Sequence, residues 1–181
     1  MSLNYLGKQI PNIMQSFELN AMVFSLVFGI VLKREEFIFL FLGFFVVGPM
    51  NIFFKNKVFQ PILSNYHVLQ GERPDNASDC GAYSSIESLT SMSTSYGFPS
   101  GHSQLTAFFV SFIFFLSADS DLDKNHLFSI ICVLSIILFG QMFARVHRGC
   151  HTVAQTIGGA IFGIIMGYGW YQCWLKVSNQ H

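Results

Sequence analysis

Two short runs carry side chains that together could hold and attack a phosphoryl group: Pro99-Ser100-Gly101-His102, and the stretch from Arg145 to His151, in which Val146 to Cys150 separate the arginine from the histidine. The first run ends a polar stretch and opens an apolar one. Its backbone N–H groups are therefore expected at a helix start, where they favour an anion. Pro99 suits the first turn or the position just before it, Ser100 can cap, Gly101 lets backbone approach a ligand, and His102 projects at the mouth. The second run repeats the arrangement, since Arg145 closes one apolar segment and His151 opens the next. Gln155 follows His151 by four residues, so both lie on one helical face. Its amide can accept a hydrogen bond from one ring nitrogen while the other nitrogen faces a substrate. Arg73-Pro74 supplies a further cation upstream.

These groups must be held by apolar elements. The chain has 181 residues, of which 51% are hydrophobic and 11% charged, with a mean hydropathy of +0.46. That composition is a membrane protein's rather than a soluble domain's. Five stretches lack Asp, Glu, Lys and Arg: Leu19 to Leu32, Phe37 to Phe54, Phe98 to Ala118, Leu127 to Ala144 and Thr152 to Leu175. A spanning helix needs about 20 residues. Four stretches qualify directly, while the first does so by starting near Ile13 with Glu18 at its edge or against a neighbouring helix. The expected fold is an all-α integral membrane protein, a bundle of about five transmembrane helices forming one domain over residues 1–181. No cleavable signal peptide is read from the first twenty residues, which lack an apolar core followed by a small-residue cleavage site.

Five spans place the N-terminus, the loop from Lys55 to Tyr96 and the loop from Arg145 to His151 on one side, so Arg73, His102, Arg145 and His151 share one surface. The turns Lys33 to Glu36 and Asp119 to Lys124 lie opposite. Orientation by positive charge is tied, with Lys8, Lys55, Lys57 and Arg148 against Lys33, Arg34, Lys124 and Lys176. Asn76-Ala77-Ser78 is a glycosylation sequon that carries little weight alone. The formal net charge of +0, with no basic run, argues against nucleic-acid binding. Cys132 and Cys173 read as packing residues inside spans, and Cys80 and Cys150 fall in loops on one side, where a disulfide is open to them if that side is oxidising. Gly159, Gly163 and Gly167 form a small-residue stripe for close helix approach. His147 and His151 are four apart, a spacing for zinc, but Gly149 lies between them and no glutamate base accompanies them. Asp119, Asp121 and Asp123 read as a solvated turn.

Taken in order, Arg73-Pro74, the Pro99 run and the Arg145–His151 run resemble the type 2 phosphatidic acid phosphatase superfamily. Within it, Tyr96-Gly97-Phe98-Pro99-Ser100-Gly101-His102-Ser103-Gln104 and His151-Thr152-Val153-Ala154-Gln155 look most like dolichyl diphosphatases, with Gln155 where other members have Asp. The resemblance covers roughly Asn51 to Gly167. It implies a metal-independent phosphatase without cofactor, acting on a polyprenyl diphosphate in the bilayer of the endoplasmic reticulum or a related endomembrane, with the site facing the lumen; the alternatives are a phosphatidate or lysolipid phosphatase and a non-catalytic lipid-phosphate-binding membrane protein. By the same resemblance His151 is the nucleophile that becomes a phosphohistidine, His102 the acid, and Gln155 the group that sets the His151 tautomer. Arg73, Ser100, Gly101 and Arg145 hold the phosphate. The position seven before Arg73, where the family has lysine, is Tyr66. Asn51-Ile52-Phe53-Phe54-Lys55 resembles the family's approach to that lysine, which makes Lys55, with Lys57 as the alternative, the expected replacement. Ala144 replaces a serine before Arg145.

Overall fold

The computed structural model describes residues 14, 16–63, 71–74, 77, 80 and 96–179. Tyr66 and Asn76 of the sequon lie outside these, as do His67 and His181. All the regular structure among the described residues is helical: α1 Phe17–Val31, α2 Glu35–Phe53, α3 Gln60–Leu63, α4 Gly101–Ala118, α5 Lys124–His147 and α6 Val153–Ser178. A π-helical segment, Phe54–Phe59, joins α2 to α3 without a break. Four helices are long and apolar enough to cross a membrane: Glu35–Leu63, Gly101–Ala118, Lys124–His147 and Val153–Ser178. The fold is thus an all-α integral membrane bundle. At 15 residues, α1 is shorter than a full span; it begins at Phe17 rather than near Ile13 and carries Glu18 turned inward.

The bundle is apolar outside as well as inside, because lipid replaces water as its solvent. Ile136 and Phe139 on α5 point outward, more than 60% exposed, while Leu40, Phe44, Phe108, Phe112 and Leu134 fill the interior. The largest helix interface joins α4 to α6. The glycine stripe makes it: a Cβ at Gly159 would sit 2.4 Å from the Ser100 carbonyl oxygen, and at Gly163 2.2 Å from that of Gln104. Only a hydrogen fits there, so the two helix starts are brought side by side.

The turns on the far side are polar and locally satisfied. Asp123 caps α5 by accepting from the backbone N–H groups of Asn125 and His126, at 2.9 and 3.0 Å, and pairs with the His126 ring. Arg34 pairs with Glu36 at the start of α2.

Candidate active site

Each of the two sequence runs becomes a helix boundary. Ser100 is the N-cap of α4, its Oγ accepting from the Ser103 N–H, with Pro99 just outside the helix and Gly101 and His102 in its first turn. His102 is half-buried, Ser100 fully buried. Gly101 is small for a reason internal to the protein: a Cβ there would lie 3.0 Å from Asn51 Oδ1.

The Arg145–His151 spacing is explained by how α5 ends. Gly149 adopts φ +69°, the left-handed conformation that favours glycine. The Gly149 N–H bonds the Val146 carbonyl and the Cys150 N–H bonds the Arg145 carbonyl, which is a Schellman motif. The His151 N–H reaches the same Arg145 carbonyl at 3.3 Å. The five intervening residues are thus the length that folds the histidine back onto the arginine's own turn. Thr152 then caps α6 in a capping box with Gln155.

Gln155 is the hub of the site. It is fully buried, and its Oε1 faces His151 Nδ1 at 2.9 Å and accepts from the Thr152 N–H at 3.2 Å. Its Nε2 donates to the Glu72 carbonyl at 2.6 Å, and its own carbonyl accepts from the Ser100 N–H at 3.0 Å. One residue therefore ties together the segment beside Arg73, the start of α4 and the His151 loop. The amide orientation follows from these partners. Turned over, it would set oxygen against the Glu72 carbonyl and NH2 against the Thr152 N–H. With Oε1 as acceptor, Nδ1 of His151 carries the proton and Nε2 keeps its lone pair.

Charge around His151 is positive. Lys55, Arg73 and Arg145 all act on it, and with burial, the larger cause, they lower its pKa to about 3 despite the opposing Gln155 hydrogen bond. His151 is 3% exposed and Arg145 1%. His102 lies within electrostatic range of Arg145, His151, Lys55 and Arg73. Arg145 Nη1 donates to the Cys80 carbonyl at 3.1 Å. Cys80 and Cys150 form a disulfide with Cα atoms 5.6 Å apart, so the bridge anchors the residue next to His151.

Lys55 and Lys57 part company in the π-helical segment, Lys55 being buried and Lys57 exposed. A π turn inserts a residue into the helical register and is often found at functional sites. All the expected site residues, Lys55, Arg73, Ser100, Gly101, His102, Arg145, His151 and Gln155, therefore gather at one end of the bundle. His147, four residues before His151, is exposed and stacked on Phe143. Among the described residues no group of three His, Cys, Asp or Glu comes together.

Two residues have roles that the sequence reading did not assign. Asn51, buried in α2, donates to Gln104 Oε1 at 2.7 Å and lies against the Pro99 carbonyl at 3.4 Å, bracing the α4 start. An amide inside an apolar run, one turn before Lys55, was its signal. Gly97 is the second: a Cβ there would lie 2.5 Å from Gln155 Nε2. Nothing in the sequence marks that approach. Arranged so, three cations, two histidines and two adjacent helix starts can bind an anion, present a nucleophilic nitrogen and exchange a proton.

A PAP2 superfamily profile matches residues 53–178 of this chain. Lipid phosphate phosphatase gamma of Arabidopsis thaliana is 34% identical over 86 residues, which cover 42% of this chain and 35% of the relative. Dolichyldiphosphatase 1 of Dictyostelium discoideum is 35% identical over 80 residues, with the same 42% and 35% coverage. The matched part thus spans about a third of each relative's length. No solved structure gives a significant match.

Proposed function

Because the chain belongs to the PAP2 superfamily, we propose that it is a membrane phosphatase that hydrolyses a lipid phosphate, with a polyprenyl diphosphate of the dolichyl type as substrate. The observation that carries this reading is the Gln155 amide, held by the Glu72 carbonyl and the Thr152 N–H so that it accepts from His151 Nδ1. It leaves the Nε2 lone pair to a neutral, buried imidazole within electrostatic range of Lys55, Arg73 and Arg145, which is what attack on a phosphoryl group requires.

In this mechanism His151 Nε2 forms a bond to phosphorus as the bond to the leaving oxygen breaks, and His102 donates a proton to that oxygen. Water then attacks the phosphohistidine, returning its proton to His102 and releasing phosphate. Arg73, Arg145 and Lys55, with the Ser100 hydroxyl and the Gly101 N–H, hold the nonbridging oxygens by charge-assisted hydrogen bonds. Nothing in these steps calls for a metal. Being neutral, Gln155 stabilises the imidazolium less than a carboxylate would, and the surrounding cations favour early capture of an anionic headgroup. The whole chain acts as one domain, and the Cys80–Cys150 bridge favours a site facing an oxidising lumen, such as that of the endoplasmic reticulum.

The test is phosphate release by the purified protein in detergent with a chelator present, comparing polyprenyl diphosphate, phosphatidate and lysophosphatidate. Polyprenyl diphosphate is expected to be hydrolysed fastest, with inhibition by orthovanadate, and His151→Ala is expected to abolish release while the protein stays folded. Faster hydrolysis of phosphatidate would reassign the substrate, and turnover by His151→Ala would remove the nucleophile.

A further inference from the structure

Arg73 reaches the site from residues 71–74, which belong to no helix. Something other than a helical register must therefore fix where its side chain starts from. The backbone on either side supplies it. The Gly71 carbonyl accepts from the N–H groups of Gly97 and Phe98, at 2.8 and 3.1 Å, and the Glu72 carbonyl accepts from Gln155 Nε2 at 2.6 Å. Beyond Arg73, the Ala77 N–H bonds the Pro74 carbonyl at 2.9 Å. A proline at the next position also steers Arg73 itself away from helical backbone angles.

The two carbonyls before Arg73 are both held by segments that carry the histidines. Gly97 and Phe98 lead into the α4 start with His102, and Gln155 holds His151. The place of Arg73 along the chain is thus set against both histidines at once. That setting depends on a contact of shape. Tyr96 is buried, and its ring tip rests on Gly71: a Cβ at Gly71 would stand 1.6 Å from Tyr96 Oη, 2.3 Å from Cζ and 3.0 Å from Cε1. Any side chain at position 71 must displace either the ring or the segment that leads to Arg73. The Tyr96 hydroxyl is buried and makes no hydrogen bond among the described residues, so the ring contributes volume here and not a polar bond.

We propose that Gly71 and Tyr96 are positioning residues for Arg73: the ring seats the bare Gly71 backbone where its carbonyl meets the Gly97 and Phe98 N–H groups and the Glu72 carbonyl meets Gln155, which presents the guanidinium of Arg73 to a phosphoryl oxygen. Neither residue touches a reacting atom. The inference rests on the phosphate-binding reading above and names two positions that set the geometry of one of its cations.

The test measures orthovanadate affinity, read by thermal shift, in the full chain carrying Gly71→Ala, Arg73→Ala, the two together, or Gly71→Ala with Tyr96→Leu. The leucine lacks the Oη, Cζ and Cε atoms and so leaves room for the added methyl. Unfolding temperature without ligand is followed in the same samples. Arg73→Ala is expected to lower affinity about tenfold or more, as loss of a hydrogen bond to a charged group does. Gly71→Ala is expected to lose nearly as much with Arg73 still present, and the two together no more than either alone. Gly71→Ala with Tyr96→Leu is expected to regain most of the affinity. Additive losses in the Gly71→Ala, Arg73→Ala protein would overturn the proposal, because Gly71 would then act by a route other than Arg73. So would a Gly71→Ala, Tyr96→Leu protein that unfolds at the wild-type temperature yet binds no better than Arg73→Ala; that comparison decides the matter even where Gly71→Ala alone does not fold. A wild-type protein that binds orthovanadate but releases no phosphate would overturn the hydrolase reading alone, because the comparison of variants stands on the binding constant.

Discussion

Replacing Gln155 by leucine probes the site most directly, because volume and burial are nearly kept while three side-chain hydrogen bonds disappear. The bond from His151 Nδ1 at 2.9 Å strengthens as the ring gains positive charge on bonding to phosphorus, and a hydrogen bond to a charged group contributes about 1.5–3 kcal/mol. Loss of the acceptor also frees the imidazole to adopt its other tautomer, whose Nε2 has no lone pair to offer. Equal population of the two tautomers adds about 0.4 kcal/mol, so the barrier should rise by about 2 to 3 kcal/mol, or roughly 30- to 150-fold in kcat. Folding should weaken as well, since the Glu72 carbonyl and the Thr152 N–H lose partners at 2.6 and 3.2 Å. The assay is phosphate release under saturating lipid substrate in detergent, with unfolding followed in parallel so that the rate refers to folded protein. A Gln155→Leu protein that stays folded and keeps kcat within about threefold of wild type would refute the reasoning, since the hub would then be structural only.

Lys55→Ala should lower kcat/KM strongly and Lys57→Ala should leave it near wild type, because only Lys55 is turned inward; equal rates in the two would remove the lysine from the site. Acid should destabilise the protein through His151: its pKa is about 3 when folded and about 6.5 when unfolded. The unfolded chain thus binds the extra proton between those values. The stability is fully present above pH 6.5 and falls with pH toward 3, by about 2 kcal/mol at pH 5. Denaturation of wild type and His151→Asn at pH 7.5 and 5 checks this, and an equal acid loss in both would contradict it. Cys150→Ser should lower stability by about 2 to 4 kcal/mol and reduce turnover, because the bridge fixes the segment whose Cys80 carbonyl receives Arg145; a stable variant with full activity would show that the bridge is dispensable.

Much of this site was legible because its local pieces are set by neighbouring residues. Ser100 caps, Gly149 ends α5 and Thr152 with Gln155 boxes the start of α6, all within a few positions of the functional histidines. The span count put the cations and histidines at one surface, since a chain crossing lipid alternates sides. Less legible were Asn51, Gly97 and the partner of Glu18. Asn51 meets Gln104 across 53 residues and Glu18 meets Gln141 across 123, and no spacing rule encodes such contacts. The choice of Lys55 over Lys57 rested on the resemblance of the run Asn51 to Lys55, and the π turn buries Lys55 and exposes Lys57.

The sequence by itself determined the membrane class, the positions of four spans, the residue types of the site and the histidine–glutamine pairing four residues apart, because these depend on apolar run length and helical period. Tertiary structure alone decided that the Gln155 side-chain amide also reaches Glu72 and its backbone carbonyl Ser100, that Cys80 bonds Cys150, and that the buried Glu18 of α1 meets Gln141 of α5. Those contacts follow from how closely α4 and α6 approach through their glycines and where the loops then come to rest. That is a property of packed three-dimensional surfaces, which the order of residues along one helix does not specify.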